Sequence, residues 1–383
     1  MKETIFLLAL ASANSGIALR VVEPMLPQLA SDFGESVSLT AMIITAYAFS
    51  YGASQLIHGP IGDRFGKLRV VTFTLMGAAL GSFGCALASD ISSLAAMRLV
   101  TGLFSSTPVM LGMAYIGDRV PIGERQPVIA RFIAGTIIGQ ALGPAIGGAV
   151  TDLLSWRGTF ALLGTVFAAV SLILFVRTRS QWAEDKGKKF AGNPFAVHVS
   201  LLGSARVRLL LTVAFIETFI FFGAFSFLGA YLKQRFDLSL TLIGVMLAGF
   251  GIGGVFYTLL VRRLLMALGQ RGLVLGGGVL CFACYLLTAL TPVWQPVLAF
   301  TIGLGFSFYM LHNTVQTKAT EMAPQARGTA VAMYSSCWAL GQAAGVAGMG
   351  LAVGAFDYAL PIIAFGAGYL ALGVWMRKNL NRL

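Results

Sequence analysis

The chain has 383 residues, 57% of them hydrophobic and 11% charged, with a mean hydropathy of +0.82. Soluble domains carry about 25% charged residues, so this composition belongs to a membrane protein and leaves no stretch for a soluble catalytic domain. The formal net charge of +12 would suit a nucleic-acid partner, but its placement along the chain explains it without one.

Apolar segments fall near 4–28, 40–60, 70–89, 92–116, 128–151, 158–177, 207–232, 240–262, 272–290, 294–317, 328–351 and 356–376. Each is close to the about 20 residues that a transmembrane helix needs. The first follows Lys2 and continues to about Leu26. That is longer than the roughly 7–15 residues of a signal-peptide core, so it reads as an uncleaved first span. The expected fold class is an all-α polytopic membrane protein of twelve spans. A polar stretch carrying Arg177, Arg179, Glu184, Asp185, Lys186, Lys188 and Lys189 separates spans six and seven. The expected units are therefore 1–177, a linker at 178–205, and 206–383.

Orientation follows from Lys and Arg. With the N-terminus in the cytoplasm, 22 of the 27 basic residues fall in cytoplasmic segments. Arg157, Lys233 and Arg235 fall in outer loops, and Arg20 and Arg98 inside spans. Both termini are thus expected in the cytoplasm, and the compact loops suit a bacterial inner (plasma) membrane.

The two halves repeat. Arg125, Gly139, Gln140, Ala141, Gly143 and Gly148 recur as Arg327, Gly341, Gln342, Ala343, Gly345 and Gly350, a constant offset of 202. Both spans run in the same direction, so the repeat is parallel, as in transporters whose substrate path lies between two halves. The four cysteines all lie in apolar segments. Cys281 and Cys284 form a C-x-x-C without the further ligands of a zinc site, and no metal or cofactor is expected.

The loop between spans two and three reads Gly59-Pro60-Ile61-Gly62-Asp63-Arg64-Phe65-Gly66-Lys67. Its glycines permit a tight turn and close helix approach. Asp63 is placed to neutralise a helix N-terminus, and Arg64 and Lys67 to hold the loop at the membrane surface. In span five, Gly135, Gly139, Gly143, Pro144, Gly147 and Gly148 mark a closely packed, bent helix. It either seals part of the path or simply packs.

These stretches resemble motifs A and C of the major facilitator superfamily. Leu94-x3-Arg98-x3-Gly102 resembles motif B, and the loop Asp118-x2-Pro121-x3-Arg125 and the Trp156-Arg157…Phe160 start of span six fit the same pattern. The resemblance covers the whole chain and points to the 12-span drug:proton antiporter branch. It implies a major-facilitator fold of two pseudosymmetric six-helix bundles, a role for Arg98 in proton coupling, and export. The second half departs from it: near 253–271 stand Arg262, Arg263, Gly269 and Arg271 but no aspartate.

Ionisable side chains inside spans are costly and so mark candidate sites. Arg20 and Glu23 share one face of span one. Arg98 lies at a similar depth in span four, heading a polar stripe with Thr101 and Ser105. Glu23 is expected to pair with Arg20, Arg98 or both, as a proton switch or as a static ion pair. Glu217 lies among Phe215, Phe219, Phe221, Phe222 and Phe225, as a proton carrier, a partner for a cationic substrate, or a hydrogen-bonded structural group. His312 is a candidate proton relay, because imidazole changes charge near neutral pH, or a structural histidine. Gln140 and Gln342 contact either substrate or neighbouring helices.

The function expected is a proton-coupled exporter of small molecules working by alternating access. An uptake symporter or facilitator for a sugar or organic acid is the alternative. No nucleotide-binding loop or catalytic triad is present, so an enzyme is not expected. The expected partners are a small-molecule substrate, protons and the lipid bilayer, with the chain a monomer.

Overall fold

The computed structural model describes residues 2–182, 196–323 and 327–383, and every regular element among them is helical. The reason is physical: hydrocarbon offers no water to exposed N–H and C=O groups, so each span must satisfy its own backbone. The first half contains α1 (Lys2–Arg20), α2 (Leu26–Phe33), α3 (Val37–Thr40), α4 (Met42–Phe65), α5 (Lys67–Ala86), α6 (Ile91–Ser105), α7 (Thr107–Arg119), α8 (Ile122–Leu153) and α9 (Trp156–Thr178). A short α10 (Ala196–Leu202) precedes α11 (Ala205–Phe236), α12 (Leu240–Leu290), α13 (Val297–Glu321), α14 (Arg327–Phe356) and α15 (Ala359–Asn379). Glu184, Asp185, Lys186, Lys188 and Lys189 of the expected linker lie outside the described residues, as does the Arg327 side chain.

Ten stretches among the described residues are long and apolar enough to cross a membrane. One of them, α12, has 51 residues. At about 1.5 Å per residue it would run about 77 Å, more than twice the about 30 Å of hydrocarbon. It is two spans that meet at Gly269, whose φ of 61° breaks the helical path. α13, with 25 residues, is also long enough, but His312, Asn313 and Gln316 dilute its apolar character. The protein is a multi-pass, all-α membrane protein, and these helices account for twelve spans.

Two spans expected to be continuous are broken. α1 stops at Arg20, a 3-10 turn covers Glu23–Met25, and α2 then carries the chain to Phe33. Pro24 is the cause: it has no N–H to return to the Arg20 carbonyl. The fourth span divides at Ser106, between α6 and α7, just before Pro108.

Both termini lie at one end of the molecule. Arg206 Nε donates to the Leu383 carbonyl at 2.7 Å, and Arg177 Nε lies 3.4 Å from the Glu3 carboxylate. At the opposite end the halves are joined. The Asp152 carboxylate, closing α8, accepts from Thr241 N at 2.7 Å and from Thr241 Oγ1 at 2.6 Å, at the start of α12.

The repeat is visible in the packing partners. Gly139 of α8 lies against the Ala13 carbonyl of α1, and Gly341 of α14 against the Phe215 carbonyl of α11. Gly143 lies against Ile17, and Gly345 against Phe219. Gly148 faces the Leu240 carbonyl across the halves, and Gly350 faces Ser38. All six partners keep the offset of 202. The glycine repeat therefore reports equivalent helix pairs, α1 with α8 and α11 with α14.

Candidate functional site

The break in α1 builds the centre of the site. Arg20, in the last turn of the helix, reaches Glu23 across the turn, with Nη1 2.9 Å from Oε1. Both side chains are buried, at 2% and 0% exposure, so neither charge has water to fall back on and each depends on the other. The second half closes over them. Ser226 Oγ of α11 donates to the same Glu23 Oε1 at 3.3 Å, and the Arg20 guanidinium lies 3.7 Å from the Phe222 ring centroid. A cation over an aromatic face is attracted by the ring quadrupole. Gly229 of α11 lets the backbone of Glu23 and Pro24 approach. Among the described residues, Arg20 Nη2 and Glu23 Oε2 have no hydrogen-bond partner.

Arg98 does not join this pair. Its Nη2 donates to the Ala18 carbonyl at 3.0 Å, and its Nε to the Ile43 carbonyl at 3.4 Å. Its guanidinium lies 4.0 Å from the Tyr47 ring centroid. Ala18 is in the last turn of α1, where carbonyls lack intrahelical donors and the helix dipole is negative. Arg98 thus caps the broken helix, and of the two arginines weighed as partners for Glu23 the bond goes to Arg20.

The span-five glycines lie directly beneath. Gly143 makes room for the Arg20 Cβ, Gly147 for the Val21 carbonyl, and Gly244 of α12 for the Pro144 carbonyl. This face of α8 packs on α1 along one side and on α12 along the other, where the halves are joined.

Glu217 and His312 come together, a pairing that sequence positions 95 apart did not reveal. His312 Nδ1 lies 3.2 Å and 3.3 Å from the two Glu217 carboxylate oxygens, and Tyr334 Oη lies 3.3 Å from the same nitrogen. The Glu217 carboxylate is fully buried, and the imidazole stacks on Phe308. Glu217 therefore faces His312 rather than an open cavity. Tyr334 was not among the expected residues, and nothing in its spacing singles it out.

Gln140 and Gln342 do not bridge to each other. Gln342 is fully buried, and neither atom of its amide has a hydrogen-bond partner among the described residues. One turn earlier on α14, Trp338 packs on Phe222, and its indole N–H is likewise unpartnered. Unpartnered donors and acceptors thus stand on both sides of the Arg20–Phe222 contact.

In the loop between α4 and α5, Lys67 is buried rather than held at the surface. It bridges Asp63 at 3.1 Å and Asp118 at 2.6 Å. Asp118 is the partner that sequence reading matched only as part of a loop. Gly62 packs on Leu111, and Gly66 turns the chain with φ 93°. A second group that sequence reading missed lies behind this loop. His58 Nδ1 is 3.1 Å from both Ser106 Oγ and Thr107 Oγ1, and Ser54 Oγ is 2.7 Å from Ser106 Oγ. These side chains meet at the break in the fourth span.

Comparison with known proteins agrees with this architecture. A family model described as the Major Facilitator Superfamily matches residues 8–346. The chain is 28% identical to the MFS-type transporter YwfA of Bacillus subtilis, over 88% of this chain and 82% of the relative. It is 27% identical to a puromycin resistance protein of Streptomyces alboniger, over 85% and 76% of the two chains. It is 24% identical to a chloramphenicol resistance protein of Pseudomonas aeruginosa, over 86% and 80%. Among solved structures, a bacterial homologue of the human lysosomal transporter Spinster, in an inward-facing unoccupied conformation, superposes with a TM-score of 0.71 at 16% identity, covering 100% of this chain and 94% of that one.

Proposed function

The chain belongs to the Major Facilitator Superfamily, a family of transporters rather than enzymes, and from that premise we propose that it is a proton-coupled exporter of small molecules working by alternating access. One observation carries the reading: the Arg20–Glu23 pair sits at a helix break and is held from the other half by Ser226 and Phe222. A proton on Glu23 removes the negative charge that balances Arg20. The pair then has no electrostatic reason to stay closed, and the contact between the halves weakens where the pair bridges them. Protonation is in this way tied to the rocking of one half against the other.

Glu217 and His312 form a second group able to exchange a proton, contained within the second half. The unpartnered amide of Gln342 and the indole of Trp338 suit polar atoms of a substrate, and the rings around Phe222 suit an apolar body. Export is the direction favoured by the names of the puromycin and chloramphenicol resistance relatives. The Lys and Arg count supports a cytoplasmic side for the end with both termini, and the compact loops support the plasma membrane of a bacterium.

The test is transport in proteoliposomes under an imposed pH gradient, with puromycin and chloramphenicol among the compounds screened. The expected result is substrate movement opposite to the proton flow, lost when an ionophore collapses the gradient. Movement in the same direction as protons would make the protein a symporter, and movement indifferent to the gradient would remove proton coupling.

A further inference from the structure

At the end that holds the termini, a cavity of about 500 Å³ lies between the two halves, within the roughly 300–1,000 Å³ typical of small-molecule sites. Its position follows from how α4 and α14 pack. They touch at Gly52, whose carbonyl accepts from Ser336 Oγ at 2.8 Å and whose Cα faces Ala339. Beyond that contact, toward the terminal end, the helices part. Leu56 lines the cavity from α4, Met110 and Met113 from α7, and Val331 and Ala332 from α14.

The lining is mostly apolar; among the described residues that form it, Asp63 is the one carboxylate and His198 the one imidazole. Among the described residues, no lysine or arginine lines it. Asp63 shares Lys67 with Asp118, and the lysine is closer to Asp118, 2.6 Å against 3.1 Å. One ammonium facing two carboxylates leaves negative charge on this wall. Arg64, next in the chain, has its guanidinium 5.2 Å from the Phe65 ring centroid. Methionine side chains are flexible and polarisable, and adapt to apolar bodies of varied shape.

We propose that this cavity binds a small apolar organic cation, with its body between Met110, Met113 and Val331 and its charge toward Asp63, and that the bound cation props α4 and α14 apart. Alternating access must bring the terminal ends of these helices together, so an occupant here stalls the cycle. The stalling rests on the transport reading above. The binding does not, because none of the residues that line the cavity belongs to the Arg20–Glu23 site.

The experiment uses the purified full-length chain in detergent and two probes of similar shape, tetraphenylphosphonium and the neutral triphenylphosphine oxide. Saturable binding of the cation is expected. Asp63→Asn is expected to weaken cation binding by about fivefold, as for a half-exposed charge pair of about 1 kcal/mol, and to leave the neutral probe unchanged. Ala332→Trp fills the cavity and is expected to abolish binding of both. Met113→Trp fills it from the facing wall with the same expected loss, so a folding failure of one variant leaves the test intact. Glu23→Gln is expected to bind both probes as the unaltered chain does. In proteoliposomes, the cation is expected to inhibit transport at the concentrations at which it binds.

Cation binding that survives both tryptophan variants, or that Glu23→Gln removes, overturns the site. Equal effects of Asp63→Asn on the two probes overturn the preference for a cation. Full transport with the cation bound overturns the propping. A failure of proton coupling in the central site leaves the binding results as they are, so the two readings fail separately.

Discussion

Arg20 and Phe222 occupy equivalent positions in the two repeats, 202 residues apart, and they stack on each other with 3.7 Å between guanidinium carbon and ring centroid. The pseudo-twofold axis therefore passes through a contact of unlike side chains. Glu23 and Phe225 stand at the same offset, so one half supplies an ion pair where the other supplies two rings. Symmetry of the scaffold is kept, and symmetry of the charge is not.

The first consequence concerns Glu23. Glu23→Gln keeps a hydrogen-bonding group but has no charge to lose, so gradient-driven transport is expected to fall to the level seen without a gradient, while exchange of labelled for unlabelled substrate continues. Ser226→Ala removes one hydrogen bond to the carboxylate, a change of about 1 kcal/mol or about fivefold in the closing equilibrium. Both are measured by comparing gradient-driven uptake with exchange in the same proteoliposomes. Full gradient-driven transport by Glu23→Gln would remove Glu23 from the coupling.

Arg98 makes a separate prediction. Its guanidinium donates to the Ala18 and Ile43 carbonyls from one fixed fork, a geometry that a single ammonium does not reproduce. Arg98→Ala leaves the buried Ala18 carbonyl without a donor and takes the second bond from Ile43, and is expected to cost about 1–3 kcal/mol of stability, with Arg98→Lys in between. The thermal unfolding midpoint in detergent checks the order.

The symmetric glycines allow a matched pair. A Cβ on Gly148 would strike the Leu240 carbonyl across the halves, whereas the equivalent Cβ on Gly350 would stand 3.3 Å from the Ser38 carbonyl oxygen. Gly148→Ala is expected to cost about 1–3 kcal/mol, the usual penalty of overpacking, charged to the conformation in which this end is joined. Gly350→Ala is expected to cost much less. Thiol labelling of an engineered cysteine near Asp152 reads the opening of this end, and equal labelling in the two variants would contradict the argument.

Lys67 gives a fourth. Lys67→Gln removes the ammonium between Asp63 and Asp118 and leaves two carboxylates facing each other. Transport is expected to fall by about tenfold, equivalent to about 1.4 kcal/mol. Adding Asp63→Asn removes the repulsion and is expected to recover part of the loss. No recovery in the double variant would show that the lysine acts in some way other than pairing the two acids.

Much of this architecture was legible in the chain itself. Segment lengths and charge gave the spans, and the Gly-Gln-Ala repeat marked equivalent helices that the structure pairs in equivalent ways. That Arg20 stands near Glu23 was legible from their spacing of three, but the expected shared helix face is a break in the structure, with α1 ending at Arg20 and Glu23 in the turn that follows. The second-half counterpart of the α4–α5 loop was legible in part. The glycine turn persists, with positive φ at Gly66 and Gly269, while Leu265 stands 202 residues after Asp63 and no equivalent ion pair can form.

What the sequence by itself determined were properties of single helices and of repeated ones: apolar length, the basic bias of alternate loops, and glycine spacing. What only the tertiary structure decided were choices among partners on different helices. Arg98 and Arg20 were both credible partners for Glu23 until the break at Pro24 turned Glu23 toward Arg20 and left the Ala18 carbonyl for Arg98. Glu217 found His312, and Lys67 found Asp118, through helix packing that local spacing does not encode. The physical reason is the same each time: a buried charge takes whichever counter-group the fold brings within about 3 Å, and that choice is made by the positions of helices far apart in the chain.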